Sequence, residues 1–309
     1  MKPFRKHTAI AIDGGGIRGI IPAVALSMLE DELDKPVYEI FELAAGTSTG
    51  SILSAGLGAG LTAQKMADLY RELGTTIFPR TLRRLLWPLT RYRYSAQPLQ
   101  SALSSVFGNM KMGDFWADDP KIDVVLTTFD LVENRTRFIK PWKEEYAAWP
   151  VSFAVQASST VPTYFPVVEG RYIDGGVGSY ANPCYLAAYE ALICLGWNLE
   201  ETTLISLGTG REAHKFEPHQ ANKMWAWDWI GPALGAFLQS ADDQQVHLVD
   251  TFFEKLDFRR FQINLREPIE MDDASKIDEL TAYGVRLGRM MLDDKTDSIH
   301  LVQAEKLTP

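Results

Sequence analysis

Short, wholly apolar runs alternate along the chain with longer segments of helical periodicity, and glycine-rich turns sit where the two meet. HTAIAI, residues 7–12, predicts a buried strand that runs into Asp13 and glycines 14 to 16. IIPAVALSMLEDELDK predicts a helix, with Pro22 tolerated in its first turn and Val24, Leu26, Met28, Leu29 and Leu33 on a broad packing face. VYEIFELAA, 37–45, predicts a helical turn and then a short strand, followed after a tight turn by a helix from Thr49 to about Leu57. Residues 62–73 and 95–106 repeat at helical spacing, with Thr62 and Ser95 as caps.

The second half continues in the same way. KIDVVLTTFDL, 121–131, is rich in valine and threonine and predicts a strand, with RTRFIK, 135–140, pairing to it after a turn. The stretch 150–166 predicts a short helix broken before Pro162, and EGRYIDGG a hairpin with Gly170 in its turn, ending at Asp174. A helix capped by Asn182, with Pro183 at its first position, runs to about Leu195. TTLISLGTG, 202–210, predicts a further strand entering a glycine turn. Beyond it lie helical patterns around a break at Pro232 and through DQQVHLVDTFFEKL, an outer strand FRRFQINL, and a closing helix at 276–293.

Strand, glycine turn and helix in repetition predict an α/β fold. No internal repeat, low-complexity tract or linker interrupts the chain, so residues 1–309 read as one domain with a local insertion at about 75–95. The composition, 46% hydrophobic and 23% charged, fits a folded globular chain. A net charge of −9 gives no overall attraction for nucleic acid or an anionic bilayer. Cys184 and Cys194, the two cysteines, are too few for a disulfide framework and read as buried free thiols on one helix. No run approaches the length of a membrane span, and Asp13 with its glycines cuts short any signal-peptide core. The expectation is a cytoplasmic protein whose contact with a membrane is at most peripheral.

The chemistry is carried by GTSTG, 46–50, which places Ser48 in a G-x-S-x-G between a strand and a helix. That order builds a nucleophile elbow, in which a tight turn lifts the serine hydroxyl above the sheet, and Gly46 and Gly50 let the backbones approach. A motif this short also arises by chance, and a serine nucleophile needs a base. His7, His214, His219, His247 and His300 all sit outside glycine-rich strand ends, which leaves a serine–acid–histidine triad without its base. Asp174, before Gly175 and Gly176, offers another route. Its carboxylate stands at a strand end, and in a desolvated pocket it can accept the serine proton directly.

Gly14, Gly16 and Gly19 satisfy G-x-G-x-x-G after a strand and before a helix, which a dinucleotide-binding turn also requires. Asp13 and Arg18 fit that reading poorly, and the acids about twenty residues on, Asp31, Glu32 and Asp34, fall within a predicted helix. The other reading is an anion hole, in which exposed backbone N–H groups converge on an oxygen and Arg18 holds the turn or adds positive potential. Acyl transfer needs this turn and Ser48 together.

DGGGIRG (13–19), GTSTG (46–50) and DGG (174–176), with QASSTVPTYFP (156–166) and LISLGTG (204–210), resemble in this order the motifs of the patatin-like phospholipase family. The resemblance spans roughly residues 8–210 and weakens in the C-terminal third. It implies a three-layer α/β/α sandwich with a mostly parallel central sheet, and hydrolysis of lipid acyl esters without metal or cofactor. It further implies Ser48 as nucleophile, Asp174 as base, and an oxyanion hole from the amides near Gly15 and Gly16 supported by Arg18. The implied partner is a lipid or other acyl-ester substrate rather than nucleic acid. FPRTLRRLLWPLTRYRY contributes five arginines, Arg80, Arg83, Arg84, Arg91 and Arg93, among leucines and aromatics. It reads either as a cap that settles on a membrane surface through 80–94, or as core leucines with arginines paired to acids elsewhere. Trp225, Trp227 and Trp229 read as core packing, with an acyl-groove wall as the alternative. A non-catalytic lipid-binding, storage or regulatory protein using the same pocket is the competing function.

Overall fold

The apolar runs lie side by side in one sheet. β1 (His7–Ile12) pairs on one edge with β2 (Leu43–Gly46) and on the other with β6 (Thr202–Leu207). β3 (Asp123–Asp130) extends the sheet beyond β2, and β7 (Asp257–Phe261) extends it beyond β6, all of them parallel. β4 (Arg135–Ile139) and β5 (Tyr172–Asp174) both join β3 in the antiparallel sense. The structure is a computed structural model that describes residues 1–80, 90–117, 122–211, 219 and 221–297, with the backbone alone for 221, 226, 227 and 230–239.

Both faces of the sheet are covered, which is why its central strands read as unbroken apolar runs rather than as alternating ones. Ile10 and Ile12 of β1 face α1 (Ile20–Leu33), α2 (Thr49–Gly58), α3 (Ala63–Ile77) and the closing helix α8 (Ile277–Leu292). Ala9 and Ala11 point the other way, toward α6 (Cys184–Tyr189) and the C-terminal half of α7 (Ile230–Phe252). At one end, α4 (Gln97–Phe107) and α5 (Val151–Ser159) close over Val124, Leu126 and Ile139. This is the three-layer α/β/α arrangement with a largely parallel sheet. Thr62 caps α3 by accepting from the Lys65 N–H at 3.3 Å, and Ser95 accepts from Gln97 N–H at 3.3 Å just before α4.

The placement of β5 prepares the site. β4 takes one edge of β3 over Leu126–Asp130, so β2 and β5 must share the other edge. β2 stops with Gly46 opposite Leu126, and β5 enters from the far end with Asp174 opposite Thr128. The end of β5 therefore arrives beside the end of β2, where the serine turn begins.

Several local expectations are corrected. The helix is continuous through Pro232, because that proline lies in the first turn of α7, where its missing N–H has no helical partner. Pro183 occupies the cap of α6 rather than its first turn, while Asn182 Oδ1 still accepts from Cys184 N–H at 2.9 Å. After Tyr189 the helix widens into a π turn, Glu190–Cys194, which draws Glu190 inward to Lys140 and Trp142. Cys184 is buried as expected, but the π turn leaves Cys194 exposed. The expected insertion falls partly on residues 81–89, outside the described residues; on its two sides, Phe78 and Tyr94 meet edge to face at 5.4 Å.

β7 is an edge strand, yet its arginines are buried. Arg260 spans Asp13 at the end of β1, at 2.9 and 2.5 Å, and Asp242 of α7 at 3.0 and 3.2 Å, with Ser206 Oγ at 2.8 Å. Burial lifts the Asp13 carboxyl to about 7 against the pull of Arg260, and the neighbouring Asp242 adds to the rise. Removal of Arg260 strands two carboxylates in the interior. Arg260→Ala is expected to lower stability by about 3–5 kcal/mol in urea unfolding, and Asn at Asp13 and Asp242 in that background to restore part of the loss.

Candidate active site

Ser48 stands two residues beyond β2 with φ 56° and ψ −123°, a conformation that non-glycine residues adopt only when held there. The flanking glycines allow it. A Cβ on Gly46 would overlap the Gly50 carbonyl, and one on Gly50 would overlap the carbonyl of Ile12 on β1. Three serines fix the Ser48 peptide units: its N–H donates to Ser158 Oγ at 3.1 Å, and its C=O accepts from Ser51 Oγ at 2.6 Å and Ser159 Oγ at 3.0 Å. The QASST stretch thus clamps the elbow, a role its sequence does not announce.

Asp174, at the end of β5, is buried. Its Oδ1 accepts from Gly176 N–H at 2.8 Å, while Oδ2 has no hydrogen-bond partner among the described residues. Burial raises its carboxyl from 3.8 to about 6, and the nearby Ser48 hydroxyl and the Gly176 N–H oppose that rise. Serine and aspartate are therefore neighbours, although no contact between them meets the geometry of a closed hydrogen bond. Loose hydrogen bonds of this kind are common in sites without substrate. Thr47 Oγ1, beside Ser48, contacts Thr127 Oγ1 at 2.7 Å and donates to Tyr180 C=O at 2.5 Å, tying the elbow to β3 and to the loop after Asp174.

The glycine turn closes the third side. Gly14 lies against Ser48, whose Cβ would stand 3.1 Å from a Cβ at that position. Gly14 N–H donates to Ala181 C=O at 2.8 Å, Gly14 C=O accepts from Thr209 Oγ1 at 2.6 Å, and Gly15 C=O accepts from Arg18 N–H at 3.2 Å. Ile17 N–H donates to Met271 C=O at 2.9 Å. Among the described residues none accepts from the N–H of Gly15 or Gly16, and Gly16 lines the same cavity as Ser48. Gly16 has φ 60°, which a side chain would strain. The Arg18 side chain is half-buried, with its charge felt at Tyr164, whose hydroxyl burial pushes up to about 12. Gly19 packs under Thr49 and Tyr70. β2 ends on Gly46 and not on the acid that a dinucleotide site places there.

An apolar cavity of about 90 Å³ is lined in part by Ser48, and it is several times the roughly 10–15 Å³ that one water needs. Leu73 and Ile77 of α3, Leu99 and Leu103 of α4, and Phe165 form much of its wall. His7, His219 and His247 do not line it; His7 instead stacks on Trp197 at 4.8 Å. His214 and His300 lie outside the described residues. Arg80 pairs with Asp273 at 3.2 Å and Arg93 with Asp272 at 3.2 Å, as the reading of arginines paired to acids elsewhere expects, while Arg83 and Arg84 lie outside the described residues. Trp225 and Trp229 are 67% and 45% exposed and line neither the core nor the cavity, which corrects the expected core packing for these two, while the Trp227 side chain lies outside what is described. They sit just before α7 and in its first approach, ahead of the turns that pack.

The model of the patatin-like phospholipase family matches residues 10–188, a span that includes the glycine turn, Ser48 and Asp174. The chain is 27% identical to patatin-like protein 2 of Oryza sativa subsp. indica, over 95% of this chain and 85% of that protein. It is 28% identical to calcium-independent phospholipase A2-gamma of Oryctolagus cuniculus, over 89% of this chain and 37% of that protein. The solved structure of VipD from Legionella pneumophila shares the fold, with a TM-score of 0.52 at 12% identity over 94% of this chain and 67% of that one. With the family model spanning more than half its length, the chain belongs to the patatin-like phospholipase family.

Proposed function

We propose that this protein hydrolyses carboxylic esters of lipids through a Ser48–Asp174 dyad. The observation that carries the reading is the meeting of three features at Ser48: a strained elbow, a buried carboxylate with one oxygen unpartnered, and an apolar cavity that the serine helps to line. Ser48 Oγ attacks the ester carbonyl carbon as Asp174 takes its proton. The N–H groups of Gly15 and Gly16 receive the oxyanion, and the Arg18 charge supports the turn. The C–O bond then breaks and the alcohol leaves with the proton from Asp174. Water attacks the acyl-enzyme, gives its proton to Asp174, and frees the fatty acid as Ser48 recovers its hydrogen. The acyl chain lies in the cavity between α3 and α4. Contact with a membrane surface through 80–94 draws no support from Arg80 or Arg93, which are already paired to acids.

Ser48→Ala and Asp174→Asn are each expected to lower kcat for a long-chain ester by about 10³-fold or more, in an assay of released fatty acid. Full activity in both variants would reject the dyad in favour of a lipid binder. Because the base acts as carboxylate, kcat/KM should rise tenfold per pH unit below about 6 and level off above it. The same burial has an opposite effect on stability. A carboxyl raised to about 6 in the folded state stabilises it at low pH and loses that contribution as pH climbs through 6. Asp174→Asn should therefore be more stable than the parent at pH 8, by about 1–3 kcal/mol in denaturant unfolding. Ala102→Phe, placed in the cavity wall, should lower kcat/KM for long-chain esters by about 10–100-fold and spare acetate esters.

A further inference from the structure

We propose that Thr209 is a positioning residue for the oxyanion turn, its hydroxyl aiming the Gly15 N–H at the reacting oxygen. The inference rests on the reading of Gly15 and Gly16 as the oxyanion donors. Thr209 follows β6 in the LGTG stretch, beyond the residues that the family model matches, and it is buried.

One peptide unit, between Gly14 and Gly15, sets the direction of the donor. A trans peptide is planar, so its C=O and N–H point in opposite directions, and fixing either fixes both. Thr209 Oγ1 donates to Gly14 C=O at 2.6 Å. That bond holds the carbonyl toward Thr209 and so turns the Gly15 N–H of the same unit to the opposite side; in the proposed role that is the side of the reacting oxygen, Gly14 itself lying against Ser48. The fit is close: a Cβ on Gly15 would overlap Thr209 Oγ1 and stand 2.7 Å from Thr209 Cβ. The neighbouring clamps, Ala181 C=O on Gly14 N–H, Arg18 N–H on Gly15 C=O and Met271 C=O on Ile17 N–H, are all main chain. Of these hydrogen bonds only the one from Thr209 comes from a side chain. Without it, a half-buried carbonyl loses its donor, and the unit can turn so that C=O rather than N–H faces the oxyanion.

Thr209→Val removes the hydroxyl at nearly constant shape, and Thr209→Ser retains it. Both are to be compared with the parent and Ser48→Ala on a soluble short-chain p-nitrophenyl ester, with thermal melting of each. The Val variant is expected to lose about 10–100-fold in kcat with KM within about twofold, and the Ser variant to stay within about threefold of the parent. A Val variant with parental kcat, or equal losses in Val and Ser, would overturn the assignment. So would a loss carried by KM together with a lowered melting temperature, which marks a structural role alone. If Ser48→Ala is inactive while Thr209→Val matches the parent, the positioning role fails and the dyad stands. If Ser48→Ala stays active, the dyad reading itself fails and takes the positioning role with it.

Discussion

One buried guanidinium holds the functional end of the sheet together. Arg260 reaches from the edge strand β7 under β6 to Asp13, the last residue before the glycine turn, and also to Asp242 on α7. Burying three charges is expensive unless each is paired and hydrogen-bonded, so this cluster has one acceptable arrangement and many unacceptable ones. That constraint fixes where β1 ends. It also draws α7 into the same network, because Asp242 accepts from Asn182 at 2.6 Å in the loop that follows Asp174. The glycine turn, the Asp174 loop and the C-terminal third are therefore set relative to one another by side chains that carry out no chemistry.

Against this fixed frame the elbow stores its strain. Ser48 adopts a positive φ because β1, α2 and α5 leave it no alternative: glycines at 46 and 50 admit the close approach, and Ser51, Ser158 and Ser159 hold the peptide groups. Asp174 is costly in another way. An isolated carboxyl in a buried setting resists ionisation, and the loss of solvation is only partly offset by Gly176 N–H and the Ser48 hydroxyl. A strained backbone and a poorly solvated carboxyl side by side both cost stability, and such features cluster at functional sites.

Much of this was legible in the sequence where the physical constraint is local. G-x-S-x-G between apolar strand and helix demands a tight turn, DGG ends a strand, and Thr62 caps its helix, each within a few residues. What was not legible is carried by distance or by context. Arg260 reads as an ordinary polar position of an edge strand, and its partner Asp13 lies 247 residues away. Cys194 belongs to a periodic helical pattern, but the inward pull on Glu190 widens that turn and leaves the thiol outside. Pro232 breaks a helix only if it falls past the first turn, and the start of α7 is not marked by a capping side chain. The tryptophans at 225 and 229 are apolar enough for a core, and only the folded chain shows them exposed.

By itself, then, the sequence determined the alternation of strand and helix and the two glycine turns, and placed Ser48 and Asp174 each at a strand end beside glycines, because each of these depends on φ, on periodicity or on the size of one residue. The tertiary structure alone decided that β5 enters antiparallel beside the end of β2, which brings Asp174 to Ser48. It likewise decided that Thr209, Met271 and Arg260 from the last third of the chain hold the glycine turn in place. The reason is physical: strand order and the pairing of buried charges are settled by the free energy of the whole packed core, to which no single segment of the chain gives access.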